Sequence, residues 1–159
     1  MRRTLIAIAI AAAVAVPSIG QAKSFRWAAQ GDILTFDPHS QNEGMTIAAN
    51  SYIYEPLVDY DKTFKVVPRL ATEWEQLSPT LYRFKLRPGV KFHDGAAFTA
   101  DDAVFSIHRA MAPTSNYKAY TTGIKEARKI DDLTIEIETS APNPCLLYTS
   151  PSPRDRQKS

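Results

Sequence analysis

Alternation of apolar and polar residues is the clearest pattern in the chain, and it predicts antiparallel strands. The stretch 71–87 alternates on both sides of a turn at 78–79, and the stretch 130–138 alternates beyond a turn at 131–132. A strand with strict alternation has one apolar and one polar face, and a short turn between two such strands makes a hairpin. We therefore expect two β-hairpins, each with one face buried.

Shorter elements are predicted ahead of these hairpins. Alternation over 25–30 predicts a first strand, and Pro38 favours an extended loop because proline keeps the residue before it out of the helical region. A short helix is expected within 45–55, ending before Pro56, and a small hairpin within 57–67. This part of the chain should therefore combine a strand, a loop, a helix and a hairpin.

A capped helix is predicted to begin at Thr99. The Thr99 hydroxyl and the Asp102 carboxylate lie three positions apart, as in a capping box with an acidic residue in place of glutamate. The helix dipole also favours the negative charges of Asp101 and Asp102 in the first turn. The side chains expected to face the core recur at helical spacing, and they are Val104, Phe105, Ile107, His108 and Met111.

Histidines and carboxylates lie close together in 91–110, which raises the question of a catalytic or metal site. His93 and Asp94 precede Gly95, and an Asp-Gly pair is typical of a sharp turn. None of the three histidines of the chain has the close spacing of a zinc site. The sequence also lacks a nucleophile elbow, a phosphate loop and a dinucleotide motif. We therefore expect no catalytic residue, no metal site and no cofactor.

The N-terminus has the composition of a secretory signal peptide. Two arginines precede an apolar run over 5–16, and Gly20 and Ala22 stand at the −3 and −1 places of a cleavage site. The run is shorter than the roughly 20 residues that a membrane-spanning helix needs. We therefore predict that residues 1–22 are a signal peptide and that the product is a soluble periplasmic protein that does not span the membrane.

Net charge excludes a further class of function. The whole chain has a formal net charge of +2, from 19 basic and 17 acidic residues. The basic surplus belongs to the two ends, because the segment 23–144 contains 14 basic and 16 acidic residues. A nucleic-acid-binding domain has a clustered basic surface, which this segment lacks. We expect no nucleic-acid partner.

The segment 145–159 differs from the rest of the chain. Periodicity stops at Cys145, and proline, serine and arginine dominate after it. This composition is typical of a disordered tail, and the letters CLLYTSPSPRD resemble the translated end of a sequencing adapter. We expect an artefactual or disordered tail in which the single cysteine has no role.

Several motifs follow one another along the chain at characteristic intervals. They are YEPLVDYD (54–61), LATEW (70–74), FKLRPGVKFHDG (84–95) and FTADDAVFS (98–106). Their order resembles that of the family 5 extracellular solute-binding proteins, which include the dipeptide, oligopeptide and nickel receptors of ABC importers. The resemblance extends over 25–144.

The resemblance implies a mixed α/β fold of the periplasmic-binding-protein type (type II, cluster C), with antiparallel strands and a few helices. Family members are longer and have two lobes that close on a ligand, so 23–144 would supply the first strand of lobe one and most of the extra domain. The implied function is that of the periplasmic substrate-binding component of an ABC importer. Such a protein is a monomer that captures peptides or similar small solutes and delivers them to the permease subunits in the inner membrane.

The resemblance also implies ligand contacts at two places. Glu43, Gly44 and Met45 match the position at which peptide receptors of the family pair with an extended peptide, and Tyr117 matches a tyrosine at the edge of the cleft. A glycine lets a peptide backbone approach closely, and a carboxylate can meet the ammonium group of a peptide N-terminus. These four residues are the predicted ligand contacts.

Other functions stay open at this point. Receptors for nickel and other non-peptide solutes have the same N-terminal pattern. A secreted hydrolase would use His39 or His93 with a neighbouring carboxylate. A small structural module would be complete at this length.

Overall fold

A four-stranded antiparallel sheet is the centre of the structure, which is a computed structural model that describes residues 28–29 and 31–149. A small hairpin of β1 (Val58–Tyr60) and β2 (Val66–Pro68) precedes the sheet. The strands of the sheet lie in the spatial order β3-β4-β6-β5, and they are β3 (Ala71–Ser78), β4 (Leu81–Leu86), β5 (Ile124–Asp131) and β6 (Thr134–Thr139). The two predicted hairpins are therefore confirmed, and they are joined side by side through β4 and β6.

Helices complete the mixed α/β fold that the sequence predicted. Within the described ranges they are α1 (Gly44–Asn50), α2 (Ala100–Met111), α3 (Lys118–Thr121) and α4 (Leu146–Thr149). The longest, α2, packs against β5 and β6. Among the residues that the structure describes, no helix combines the length and apolar character required to cross a bilayer.

Large side chains from the central strands build the core. Phe84 of β4 lies opposite Trp74 on one neighbouring strand and Ile135 on the other. Ile107 from α2 and Leu57 from the segment before β1 belong to the same cluster. Because burial of one such side chain contributes about 1.5–3 kcal/mol, this cluster holds the helix, the sheet and the small hairpin together.

The predicted turn at Asp94 and Gly95 is confirmed. Gly95 has φ 85°, in the left-handed region that favours glycine, and its N–H donates to the carbonyl of Phe92 at 2.9 Å. The Asp94 carboxylate accepts the N–H of Ala96 at 2.9 Å. His93 and Asp94 are exposed on this turn, and Asp94 stabilises the turn through its hydrogen bond with Ala96.

The buried face of α2 differs from the predicted one. Ile107 is buried as expected, but His108 is exposed and Phe105 is 62% exposed. Small residues form most of the buried face, and they are Ala100, Ala103, Ser106 and Ala110. Their short side chains let the helix lie close to the sheet. Val104 and Met111 pack against the core as predicted. The prediction was wrong for Phe105 and His108, because it gave large side chains more weight than alanines with the same helical spacing.

The N-terminal cap of α2 yields a first testable prediction. Asp102 Oδ2 accepts both the backbone N–H and the hydroxyl of Thr99, at 2.9 Å and 3.0 Å. We expect Asp102→Ala to lower the free energy of unfolding by about 1 kcal/mol, measured by urea denaturation. Asp101→Ala is the control. Asp101 is exposed in the same helical turn, and its carboxylate pairs with Lys129 rather than with Thr99. Equal urea midpoints for the two variants would contradict the capping role.

Parts of the predicted domain organisation lie outside the described residues. These parts are the signal peptide at 1–22, most of the first strand at 25–30 and the segment 150–159 of the predicted tail. Within 145–149, Leu146 is buried in the core and Cys145 is exposed. The domain boundaries stay predictions.

Candidate ligand-binding site

The segment 31–43, which leads into α1, has no regular secondary structure and is held by side chains. The backbone N–H of Leu34 donates to the hydroxyl of Thr46 at 3.2 Å. Further along, the Tyr54 hydroxyl donates to the carbonyl of Phe36 at 2.8 Å. Thr46 and Tyr54 are both buried, so the segment is fastened to the interior at two points before it reaches the predicted ligand contacts.

Glu43 is the N-cap of α1. Its carboxylate accepts the N–H of Met45 at 2.6 Å and the N–H of Thr46 at 3.0 Å, and it also accepts the Thr46 hydroxyl at 2.9 Å. The hydrogen bond from Met45, followed by those from Thr46, holds the pKa of Glu43 below its usual value. The side chain is exposed, so the site presents an ionised carboxylate whose position is fixed by the helix.

Gly44 and Met45 begin the same helix. A side-chain carbon added at Gly44 would meet no atom within 4 Å, and the backbone of Gly44 does not lie in the left-handed region. The fold therefore does not require a glycine at this position. Met45 is half-buried and Gly44 is exposed, so the backbone beside the Glu43 carboxylate is open to an approaching molecule.

Tyr117 lies in the turn between α2 and α3. Its ring makes an edge contact with His39, with a centroid distance of 5.7 Å, and a tilted contact with Tyr120 at 5.6 Å. Its backbone N–H donates to the Ser115 hydroxyl at 3.0 Å. The side chain is half-buried, and its orientation is set by these neighbours.

The structure links the two places at which the resemblance implied ligand contacts, Glu43–Met45 and Tyr117. The N–H of Asn116 donates to the carbonyl of His39 at 3.0 Å, and the Asn42 side chain donates to the carbonyl of Asn116 at 3.4 Å. The Asn116 side chain also donates to the carbonyl of Ser40. The residues that directly precede Glu43 and Tyr117 are therefore connected, although 74 positions separate Asn42 from Asn116.

An ion pair that the sequence analysis did not predict connects the segment 31–43 to α2. Arg109 donates to Asp37 Oδ2 at 2.7 Å and lies 3.3 Å from Nδ1 of His39. Burial raises the pKa of Asp37, but the hydrogen bonds from Arg109 and the His39 N–H outweigh it and hold that pKa below its usual value. No local spacing signals a contact between residues 72 positions apart.

The histidines do not form a reaction centre. His39 is 3% exposed and packs in the contacts just described, whereas His93 and His108 are exposed at separate places. In the part of the chain that the structure describes, no group of three or more histidine, cysteine, aspartate or glutamate residues could hold a metal ion. What the arrangement offers is a fixed anion, an open stretch of backbone and a tyrosine ring.

Comparison with known proteins agrees with the motif order. Residues 65–158 match the family model described as bacterial extracellular solute-binding proteins, family 5 Middle. The glutathione-binding protein GsiB of Pectobacterium atrosepticum is 33% identical over 144 residues, which cover 89% of this chain and 28% of that protein. The dipeptide-binding protein of Escherichia coli is 32% identical over an alignment of 161 residues, gaps included, and the alignment covers 87% of this chain and 29% of that protein.

A solved structure gives the same result for the fold. The structure of MoaA from A. tumefacien R10 in complex with mannopinic acid superimposes with a TM-score of 0.68 and 32% identity, covering 74% of this chain and 25% of that one. The mixed α/β fold is therefore that of periplasmic binding proteins. The chain spans a little over a quarter of the length of the relatives it matches.

Proposed function

Because the chain belongs to the family 5 bacterial extracellular solute-binding proteins, which bind solutes and are not enzymes, we propose that its full-length form is the receptor of an ABC importer for short peptides or peptide-like solutes. The similarity to a glutathione-binding and a dipeptide-binding protein supports this solute class. The observation that carries the proposal is the exposed, ionised carboxylate of Glu43 beside the open backbone at Gly44.

The geometry at the start of α1 suits the N-terminal end of a peptide. The Glu43 carboxylate already accepts three hydrogen bonds, one on Oε1 and two on Oε2. A carboxylate has about four acceptor positions, so one position on Oε1 is open to a ligand ammonium group. Charge-assisted hydrogen bonds of this kind are stronger than neutral ones, and the fixed position of the carboxylate avoids an ordering cost on binding.

Gly44 and Tyr117 would contribute shape. With no side chain at Gly44, an extended peptide can approach the backbone closely enough for main-chain hydrogen bonds. The half-buried ring of Tyr117 would border the same ligand, and its packing against His39 and Tyr120 keeps it in one orientation. The two segments are linked in the structure, as two parts of one wall of a cleft would be.

Transport then depends on a conformational equilibrium. A ligand that contacts both lobes only when they are closed favours the closed form, and the closed form delivers the solute to the permease subunits. The periplasm is the compartment that suits this role.

Gly44→Ala tests the proposal, because it separates binding from folding. In the full-length form we expect this variant to bind dipeptides and glutathione about tenfold more weakly, since a methyl group blocks the approach of the ligand backbone. The free energy of unfolding should stay equal or rise by about 0.5–1 kcal/mol, because alanine is the better helix former. Isothermal calorimetry measures the affinity and urea denaturation measures the stability.

Ala48→Ser is the matched control, because Ala48 is exposed on the same helix and is not a predicted ligand contact. It should leave peptide affinity unchanged. Equal affinities for wild type and Gly44→Ala would contradict ligand binding at this position. Absence of peptide and glutathione binding by the wild-type full-length form would contradict the solute class.

The similarity to MoaA favours opines as the second candidate class. Mannopinic acid therefore belongs in the same calorimetric series. Binding of mannopinic acid without binding of any peptide would replace the first proposal with this one.

A further inference from the structure

Arg109 lies in the last turn of α2, outside both predicted ligand-contact places, and its guanidinium group joins the turn at 37–39, which precedes Glu43–Met45, to the helix. One nitrogen donates to Asp37 Oδ2 at 2.7 Å, and another lies 3.3 Å from Nδ1 of His39. The planar guanidinium can hold two acceptors at fixed positions, which a lysine cannot do. The contact therefore defines where the turn at 37–39 lies relative to α2.

The turn itself depends on the same carboxylate. While Oδ2 of Asp37 accepts from Arg109, Oδ1 accepts the backbone N–H of His39 at 3.0 Å. The segment 31–43 has no regular secondary structure, so its backbone order depends on side-chain contacts and on the hydrogen bond from the Asn116 N–H to the His39 carbonyl. One carboxylate, that of Asp37, thus connects the local turn to a rigid helix six residues before the Glu43 cap.

The second ligand-contact segment starts from the same end of α2. Ser115 follows the helix closely, and its hydroxyl accepts the N–H of Tyr117 at 3.0 Å while donating to the carbonyl of His39 at 3.4 Å. Asn116 donates to the same carbonyl at 3.0 Å. The C-terminal end of α2 is therefore the common support of the turn at 37–39 and of Tyr117.

We propose that Arg109 is a positioning residue for the ligand site, which sets the spacing between Glu43–Met45 and Tyr117 without contacting the ligand. This inference rests on the proposed function. A positioning role differs from a purely structural role in its effect on ligand affinity relative to its effect on stability. The side chains of Arg109 and Asp37 are 35% and 37% exposed, and ion pairs with this exposure contribute little to global stability. Loss of Arg109 should therefore change ligand affinity more than it changes the stability of the fold.

The test compares Arg109→Gln and Arg109→Lys with Arg69→Gln. Arg69 is the matched control, because it pairs with Asp59 at 3.1 Å with side chains 48% and 42% exposed, and it lies outside both predicted ligand-contact segments. We expect Arg109→Gln to weaken dipeptide binding by the full-length form about tenfold, which corresponds to about 1.4 kcal/mol of binding free energy. Arg109→Lys should lose less affinity, and Arg69→Gln none.

Hydrogen exchange of the full-length form is the second measurement. We expect Arg109→Gln to speed exchange at the amide of Asn116, which is bonded to His39, and at the amides of Met45 and Thr46, which are bonded to Glu43. Amides within α2 should be unchanged. Arg69→Gln should leave all of these amides at the wild-type rate.

The outcomes separate this inference from the proposed function. If exchange rises while affinity stays at the wild-type value, or if exchange does not change, the positioning role is overturned. If α2 amides also exchange faster, the role of Arg109 is structural and the inference is again overturned. If the wild-type protein binds no peptide or glutathione, the proposed function fails, and the contrast in exchange between Arg109→Gln and Arg69→Gln decides whether Arg109 fixes the spacing of the two segments.

Discussion

Phe84→Ala is expected to lower the free energy of unfolding by about 3–5 kcal/mol, the range for removing a buried phenylalanine side chain. The side chain is fully buried and lies between Trp74 and Ile135 on the neighbouring strands. Small domains have a total stability of about 5–15 kcal/mol, so this variant should be largely unfolded at moderate urea concentrations. Urea denaturation followed by tryptophan fluorescence measures the change.

Leu77→Ala is the control for this substitution. Leu77 lies on the neighbouring strand β3 and is 37% exposed, so its truncation should cost about 1 kcal/mol or less. If Phe84→Ala were no more destabilising than Leu77→Ala, the assignment of Phe84 to the centre of the core would be wrong.

Glu136→Ala is expected to lower the free energy of unfolding at pH 7 by about 2–3 kcal/mol, somewhat less than for a fully buried ion pair because the arginine partners are partly exposed. The Glu136 side chain is 5% exposed, and it accepts from Arg83 at 2.6 Å and from Arg128 at 2.5 Å. Alanine would leave these two positive charges facing each other. Urea denaturation at pH 7 measures the loss, with Glu73→Ala as control, because the Glu73 side chain is 70% exposed.

The contribution of Glu136 should also depend on pH. The hydrogen bond from Arg83 opposes desolvation and, with Arg128, holds the pKa of Glu136 below its ordinary value of 4.5. A carboxylate with a lowered pKa in the folded state stabilises the protein above its ordinary pKa, and that contribution is lost as the pH falls through the folded pKa. Below pH 4.5 the gap in stability between wild type and Glu136→Ala should therefore shrink. An unchanged gap between pH 7 and pH 3 would contradict this account.

The strands could be predicted because alternation is a local property of the sequence. Both hairpins of the sheet are present where alternation placed them. Burial of Glu136 could not be predicted in the same way, because alternation assigns it to the polar face. The carboxylate is covered by arginines from β4 and β5 on either side of β6, and that arrangement depends on the order of strands across the sheet.

The candidate site could likewise be predicted only in part. Glu43, Gly44, Met45 and Tyr117 came from a resemblance of motifs, and their role in binding stays a proposal. The connection between their two segments depends on contacts between residues more than 70 positions apart, for which one sequence has no signal. The helix-capping bonds of Glu43 were also not predicted, although a glutamate just before a short helix is consistent with that role.

The seam between β4 and β6 bears on how the protein folds. Each of the two hairpins closes a turn of a few residues, whereas the seam joins positions such as Arg83 and Glu136, 53 residues apart in the chain. The entropy lost on closing a loop grows with its length, and non-local pairing slows folding. We expect the two hairpins to form early as separate units and to pair with each other late. The helix α2 lies in the chain between them. The late pairing of β4 with β6 should therefore set the folding rate.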